Sequence, residues 1–309
     1  VTLPDWQTEF IEVGDRAFAY VQAGGGFCVS NAGLLLTEDG PIAIDALFSP
    51  AMTRAFQAAA GAYGSARLLI DTHHHIDHTL GNALFQAPVL AHRRTREEMQ
   101  RAGLHKERLL TIAPYFADDL AEVGPESIKL PTIVFDAEMS LFDGAREIRL
   151  IHVGKAHTAG DTLIYLPADR LLYAGDVAFH YVTPLAAEGH ISTWIDVLDR
   201  IAAMDVETIV PGHGPVGTKQ DLAELRDYFA TVREQARAAY DARADAGQAT
   251  KEIYARLGRF QQWGEAERLY PNIARLYTEF AGTPDTPLPA STTPGMLAFR
   301  DEIGGATAR

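Results

Sequence analysis

Residues 68–82 read LLIDTHHHIDHTLGN. An apolar run at 66–72 leads directly into four histidines and an aspartate, in a chain that has only 11 histidines. A short apolar run of this kind reads as a buried strand. The histidines therefore fall at a strand end and in the loop beyond it, where a rigid element aims side chains that the loop leaves accessible. Alternate side chains of extended backbone share a face, so His73 and His75 point to one place. The chain then turns, and Asp77 and His78 approach a neighbouring place from the other side. His74 alternates away and is read as a supporting residue. Imidazole and carboxylate are the usual ligands of a borderline divalent metal such as zinc. One ion takes three or four of them, so two ions need more than this stretch supplies.

Three later stretches have the same form. GKAHTAGDT puts His157 after an expected strand at 146–153, YAGDVAFH puts Asp176 after one at 171–173, and VPGHGPV puts His213 after one at 208–210. Each candidate has glycine close by, which lets a loop take tight conformations. Five imidazoles (His73, His75, His78, His157, His213) and two carboxylates (Asp77, Asp176) suffice for two metals sharing one carboxylate. The remaining histidines, His92, His105, His152 and His190, read as surface or internally paired residues.

Periodicity places further strands at 13–21, 27–36, 41–47, 132–136, 138–143 and 162–167, and helices at 50–62 and 192–204. Residues 93–122 form a mostly helical, charged insert. Strands followed by a helix thus occur twice, the pattern of two packed sheets with helices outside. From Lys219 the character changes to one long amphipathic helix at 221–246 and another at 265–280. Residues 282–294 are rich in Pro and Thr, and the last fifteen residues are expected to be a loosely attached arm. The division expected is an αββα domain over 1–218 and a helical extension over 219–309 packed on it.

Composition sets the outer limits. With 309 residues, 47% of them hydrophobic and 22% charged, the chain has the profile of a globular enzyme. A net charge of −14 argues against a nucleic-acid partner and an anionic membrane surface. The single Cys28 rules out an intrachain disulfide and a Cys-rich zinc module. No apolar run is long enough to span a bilayer. A cytoplasmic setting is expected. Because the sequence opens on Val1, a removed leader and a secreted or periplasmic setting stay open.

The motifs THHHIDH, AHTAGD, YAGD and PGHG, in this order, resemble those of the metallo-β-lactamase fold superfamily over about residues 15–217. The resemblance implies an αββα sandwich of two mixed sheets. It implies a first metal on His73, His75 and His157, a second on Asp77, His78 and His213, and Asp176 bridging them. Two zinc ions are the cofactors expected, with iron or manganese as alternatives that the same donors accept. The activity implied is hydrolysis by a bridging hydroxide, with Asp77 as the catalytic carboxylate. Aspartate at 176 resembles the lactonase, thioesterase and glyoxalase II-like branches, where true β-lactamases usually place Cys or Ser. The expected substrate is a small ester, lactone or thioester. The alternatives are β-lactam hydrolysis and, behind it, iron-dependent sulfur oxidation.

Substrate choice in such a site rests with the loops above it: residues 24–31, the insert at 93–122 and the loop after Asp176. His180 and Tyr181 are candidate substrate contacts, the tyrosine as a donor to a developing oxyanion. Phe27, Phe116 and Trp194 are candidates for an apolar wall. A homo-oligomer pairing through the C-terminal helices is a further expectation.

Overall fold

The computed structural model describes residues 3–24, 26–121 and 123–304. Among these, twelve strands form two mixed sheets. The first sheet runs in chain order: β1 (Glu9–Gly14), β2 (Ala17–Val21), β3 (Ala32–Leu35), β4 (Ile42–Ile44), β5 (Leu68–Ile70), β6 (Val89–His92) and β7 (Ile133–Phe135). β1 to β4 pair antiparallel, and β4 to β7 pair parallel. The second sheet contains β8 (Glu138–Asp143), β9 (Arg146–His152), β10 (Thr162–Leu166), β11 (Leu171–Phe179) and β12 (Thr208–His213), with β12 parallel to β11 and the rest antiparallel.

Alternation explains the packing. β9 buries every second residue along most of its length, the mark of a strand with one face in a core. Leu35, Ile44 and Ile70 of the first sheet meet Leu150, Ile164, Leu171 and Tyr173 of the second in one buried cluster. The outer face of the first sheet is covered by α1 (Pro50–Ala59), whose Phe56 packs with Tyr20, Leu34 and Leu69. Ser49 caps α1 by accepting from Met52 N–H, and Pro50 opens it, as the cap pattern requires. The outer face of the second sheet is covered by α5 (Ile191–Ala203) and α6 (Lys219–Asp241). The layers are those of an αββα sandwich. The remaining helices are α2 (Ile76–Thr79), α3 (Arg93–Ala102), α4 (Lys106–Ile112), α7 (Ala246–Tyr254), α8 (Leu269–Phe280) and α9 (Thr292–Glu302).

Three local expectations need correction. The strand expected at 13–21 is a hairpin, because Arg16 takes a left-handed conformation and turns the chain between β1 and β2. The long helix expected at 221–246 ends at Asp241. Arg243 is left-handed, and Asp245 then caps α7 by accepting from Gln248 N–H. The C-terminal arm is anchored rather than loose: Met296 and Phe299 of α9 are buried, and Phe299 packs into the helical layer. Residues 305–309 of that arm, and Glu122 of the insert, lie outside the described residues. No described helix is long and apolar enough to cross a membrane.

Candidate metal site

Strand ends of both sheets meet where the expected ligands lie. His73 follows β5, and α2 then carries Asp77 and His78 back toward it. His157 sits in the loop between β9 and β10, and His213 is the last residue of β12. Asp176 lies inside β11, beside a register irregularity where Gly175 is left-handed. The donor atoms of His73, His75, His157 and Asp176 lie within 4.8 Å of one another. Those of Asp77, His78 and His213 do so as well.

Asp176 stands between the two groups. Its Oδ2 is 3.1 Å from His157 Nε2 and 3.7 Å from His73 Nε2. Its Oδ1 is 3.1 Å from His78 Nε2 and 3.4 Å from His213 Nε2. His75 Nδ1 is 2.8 Å from His157 Nε2. Asp77 Oδ2 is 3.4 Å from His213 Nε2. Each oxygen of one carboxylate thus addresses a different set of imidazoles.

The opposite ring nitrogens are held from behind. His73 Nδ1 is 3.0 Å from Thr72 Oγ1, and His213 Nδ1 is 2.9 Å from Val29 O. His78 Nδ1 is 2.8 Å from Asp45 Oδ2, whose carboxylate also accepts from Thr72 N–H and Thr72 Oγ1. Outer partners of this kind fix which nitrogen carries the hydrogen. Asp161 does the equivalent for backbone, accepting from the N–H groups of His157 and Thr158. Gly212 is required by crowding: a Cβ there would overlap Asp176 Oδ1.

The residues fit a divalent cation. His73 Nε2, His78 Nε2 and Asp176 Oδ1 are buried with no hydrogen-bond partner among the described residues, although buried polar atoms are normally satisfied. Burial, helped by the imidazoles of His157 and His74, pushes His75 down to about 3, so the ring is neutral and free to ligate. Burial opposes protonation of His213, yet Asp176 and Asp77 outweigh it and hold that imidazole up at about 9. Burial alone would raise Asp176, but the four imidazoles of His213, His78, His157 and His73 keep its carboxyl well below the usual range. The carboxylates therefore demand positive charge that the protein alone supplies only by protonating its own ligands.

Above this floor lies a cavity of about 860 Å³. All three expected loops reach it, through Phe27, through Met99, Leu109 and Ile112, and through Leu185 and Glu188. Among the described residues, Phe116 and Trp194 are not in its lining. Phe116 packs edge-on against Phe48, and the buried Trp194 donates to Val177 O. His180 and Tyr181 are also outside the lining. His180 is buried with Nδ1 2.9 Å from Pro215 O, and burial lowers its pKa. Tyr181 donates to Asp221 Oδ1 at 2.7 Å, a bond that helps push its phenol up to about 12.

Several contributors were not anticipated. Asp45, within PIAIDAL, directly follows β4, a position with the same strand-end form as the ligands. Glu188 Oε2 is 3.2 Å from His74 Nε2, which gives the alternating histidine a partner. Arg268 stacks its guanidinium 4.8 Å over the Phe27 ring at the cavity wall. Residues 285–296, distant in sequence, close one side of the cavity.

Comparison with known proteins agrees with this architecture. The profile of the metallo-beta-lactamase superfamily matches residues 25–213, which include every expected ligand. The alpha subunit of 2,4-dinitroanisole O-demethylase from Nocardioides sp. (strain JS1661) is 30% identical over 184 residues, 57% of this chain and 50% of that subunit. The chain thus spans about half the length of this curated relative. A double mutant of the sec-alkyl sulfatase PisA1 superposes with a TM-score of 0.63 at 16% identity, covering 97% of this chain and 55% of that one. A metallo-beta-lactamase from Pontibacter korlensis superposes at 0.55 and 18% identity, over 72% of this chain and 99% of that one. With more than half of its length matched by the family profile, and His/Asp donor clusters at its strand ends, this chain belongs to the metallo-beta-lactamase superfamily.

Proposed function

We propose that the chain is a dinuclear metal-dependent hydrolase that cleaves a small ester, lactone or thioester. The observation that carries this reading is the placement of Asp176, with its two oxygens directed at two different imidazole sets beneath an open cavity. His73, His75 and His157 would hold one ion, Asp77, His78 and His213 the other, and Asp176 both. The chemistry such ions supply when bound is polarisation of a carbonyl oxygen and acidification of water toward neutral pH. Zinc suits the donors, as do iron and manganese.

The protein's own part is positional. Asp77 is the most exposed of the carboxylate donors, at 14% against 4% for Asp176, and it lines the cavity. Its Oδ2 is occupied by His213. Its Oδ1 is the group to accept a proton from attacking water and return it to the leaving group.

A second reading comes from the relative named for 2,4-dinitroanisole O-demethylation. An activated aryl methyl ether also suits a cavity with apolar side chains such as Phe27, Leu109 and Leu288 in its lining. Initial rates on zinc-loaded protein with a lactone, an aryl ester, a thioester, a β-lactam and 2,4-dinitroanisole separate the readings. Preference for an ester, lactone or thioester supports the first, and turnover of the ether alone replaces it with the second. Asp77→Asn should lower kcat about 100-fold or more in a protein that still folds. Wild-type turnover in that variant would refute the role given to Asp77.

A further inference from the structure

We infer that residues 284–296 form the wall that sets substrate specificity, and that this wall selects an extended apolar acyl group. This deepens the carbonyl-hydrolase reading and rests on it for the reacting bond. The segment contributes Pro287, Leu288, Pro289 and Met296 to the cavity that has the donor clusters as its floor. The insert contributes Leu109 and Ile112 to the same cavity. The space above the donors is therefore bounded partly by aliphatic side chains from two parts of the chain that are about 180 residues apart, with charged side chains such as Arg101, Arg108, Glu188 and Arg268 elsewhere in the lining.

The wall is built to stay in place. Arg275 is buried, and its guanidinium donates to the carbonyls of Pro284, Thr286 (3.0 Å) and Ala187 (2.5 Å). One side chain thus ties the segment to the loop that carries Glu188. The Asp285 carboxylate accepts from Lys155 Nζ at 2.8 Å and lies 3.1 Å from His190 Nε2. This fastens the segment to the loop that carries His157. At the far end Arg300 donates to Ile112 O at 3.2 Å, joining α9 to the end of α4. Prolines at 284, 287 and 289 restrict the backbone between these anchors. An apolar surface whose backbone is fixed before the ligand arrives loses little entropy on binding, so it discriminates by shape.

Calorimetric titration of zinc-loaded protein with straight-chain carboxylates tests this without relying on turnover. Affinity should rise about threefold to fourfold per added methylene from butanoate to octanoate, the increment for burying one methylene. Leu288→Ala should weaken octanoate about tenfold while leaving acetate unchanged. Leu288→Trp, which fills space rather than opening it, should also weaken octanoate and spare acetate. Because Leu288 is only partly buried, both variants should fold. The wall is overturned if octanoate binds no better than butanoate, if octanoate binding is undetectable, or if the variants change acetate and octanoate alike. Chain-length-dependent binding without turnover of any ester, lactone or thioester would remove the hydrolase reading and keep the wall.

Discussion

Replacing Asp45 with asparagine should weaken the second donor cluster, which it touches through His78, more than the first, which it reaches only through Thr72. Asp45 is 2% exposed and has a left-handed backbone, a conformation that asparagine tolerates well. Its Oδ1 accepts from Thr72 N–H at 2.8 Å. Its Oδ2 faces Thr72 Oγ1 and His78 Nδ1, each at 2.8 Å. A carboxylate only accepts, so His78 keeps a hydrogen on Nδ1, and Nε2 is the nitrogen left to face a metal. In the asparagine variant one of those oxygens becomes an amide NH₂. If the amide oxygen stays on Thr72 N–H, the NH₂ faces Nδ1, and the imidazole must move its hydrogen to Nε2. A ligand then becomes a donor pointing into the metal site. If the amide flips, two buried donors meet at Thr72, at a cost of about 1–3 kcal/mol.

Loss of such an outer partner lowers metal affinity by about 10–100-fold, or about 1.4–2.7 kcal/mol. The assay is competition with a chromophoric chelator, with metal content per chain measured in parallel. The expected result is a larger loss of affinity at the Asp77, His78 and His213 cluster than at the His73, His75 and His157 cluster. Wild-type stoichiometry and affinity in Asp45→Asn would refute the tautomer argument. Equal weakening of both ions would show that Asp45 supports the whole floor rather than His78.

The remaining predictions concern crowding, charge and one misplaced candidate. Gly212→Ala should displace Asp176, because the added Cβ would overlap its Oδ1; metal content should fall, and a variant that binds metal normally would contradict the crowding. Stripping the metal should make stability sensitive to alkaline pH. His213 is held up at about 9 in the metal-free protein, so its contribution is full below its unfolded value of about 6.5 and is lost as pH rises through about 9. Melting of the chelated protein should therefore drop between pH 6.5 and 9 while the loaded protein changes less, and a flat profile would argue against the charge balance described. Tyr181→Phe should cost about 0.5–1.5 kcal/mol through its lost bond to Asp221 and leave kcat within about twofold; a tenfold fall would place Tyr181 in the reaction after all.

What could be read from the sequence was what the covalent chain keeps together. His73, His75, Asp77 and His78 need only one strand end and one turn to converge, so their spacing carries the geometry with it. The later motifs add one residue each, and their common strand-end setting lets the fold bring them to the same edge. Sequence proximity misled at His180 and Tyr181. They lie just beyond the end of β11, which carries Asp176, but the chain there turns to face Pro215 and Asp221 instead of the cavity. Asp45 escaped notice for the opposite reason: it lies 33 residues from the histidine it orients, and an aspartate after an apolar strand is common enough to carry no message alone.

The C-terminal segment shows why the chemistry of such a site is more legible than its specificity. A metal ligand must be one of a few residue types, so it stands out against composition. A specificity wall needs only apolar side chains held still, and residues 284–296 achieve this with prolines and leucine that read as a structureless tail. The residues that hold the tail, Arg275 and Lys155, lie elsewhere in the chain and look like ordinary surface charges in the sequence. Their role depends on carbonyls and a carboxylate that only the folded chain brings within reach. Selection on substrate can therefore rewrite this wall freely, one anchored apolar residue at a time, while the floor stays fixed by the metal. That separation predicts relatives with the same donor set and little in common along this segment.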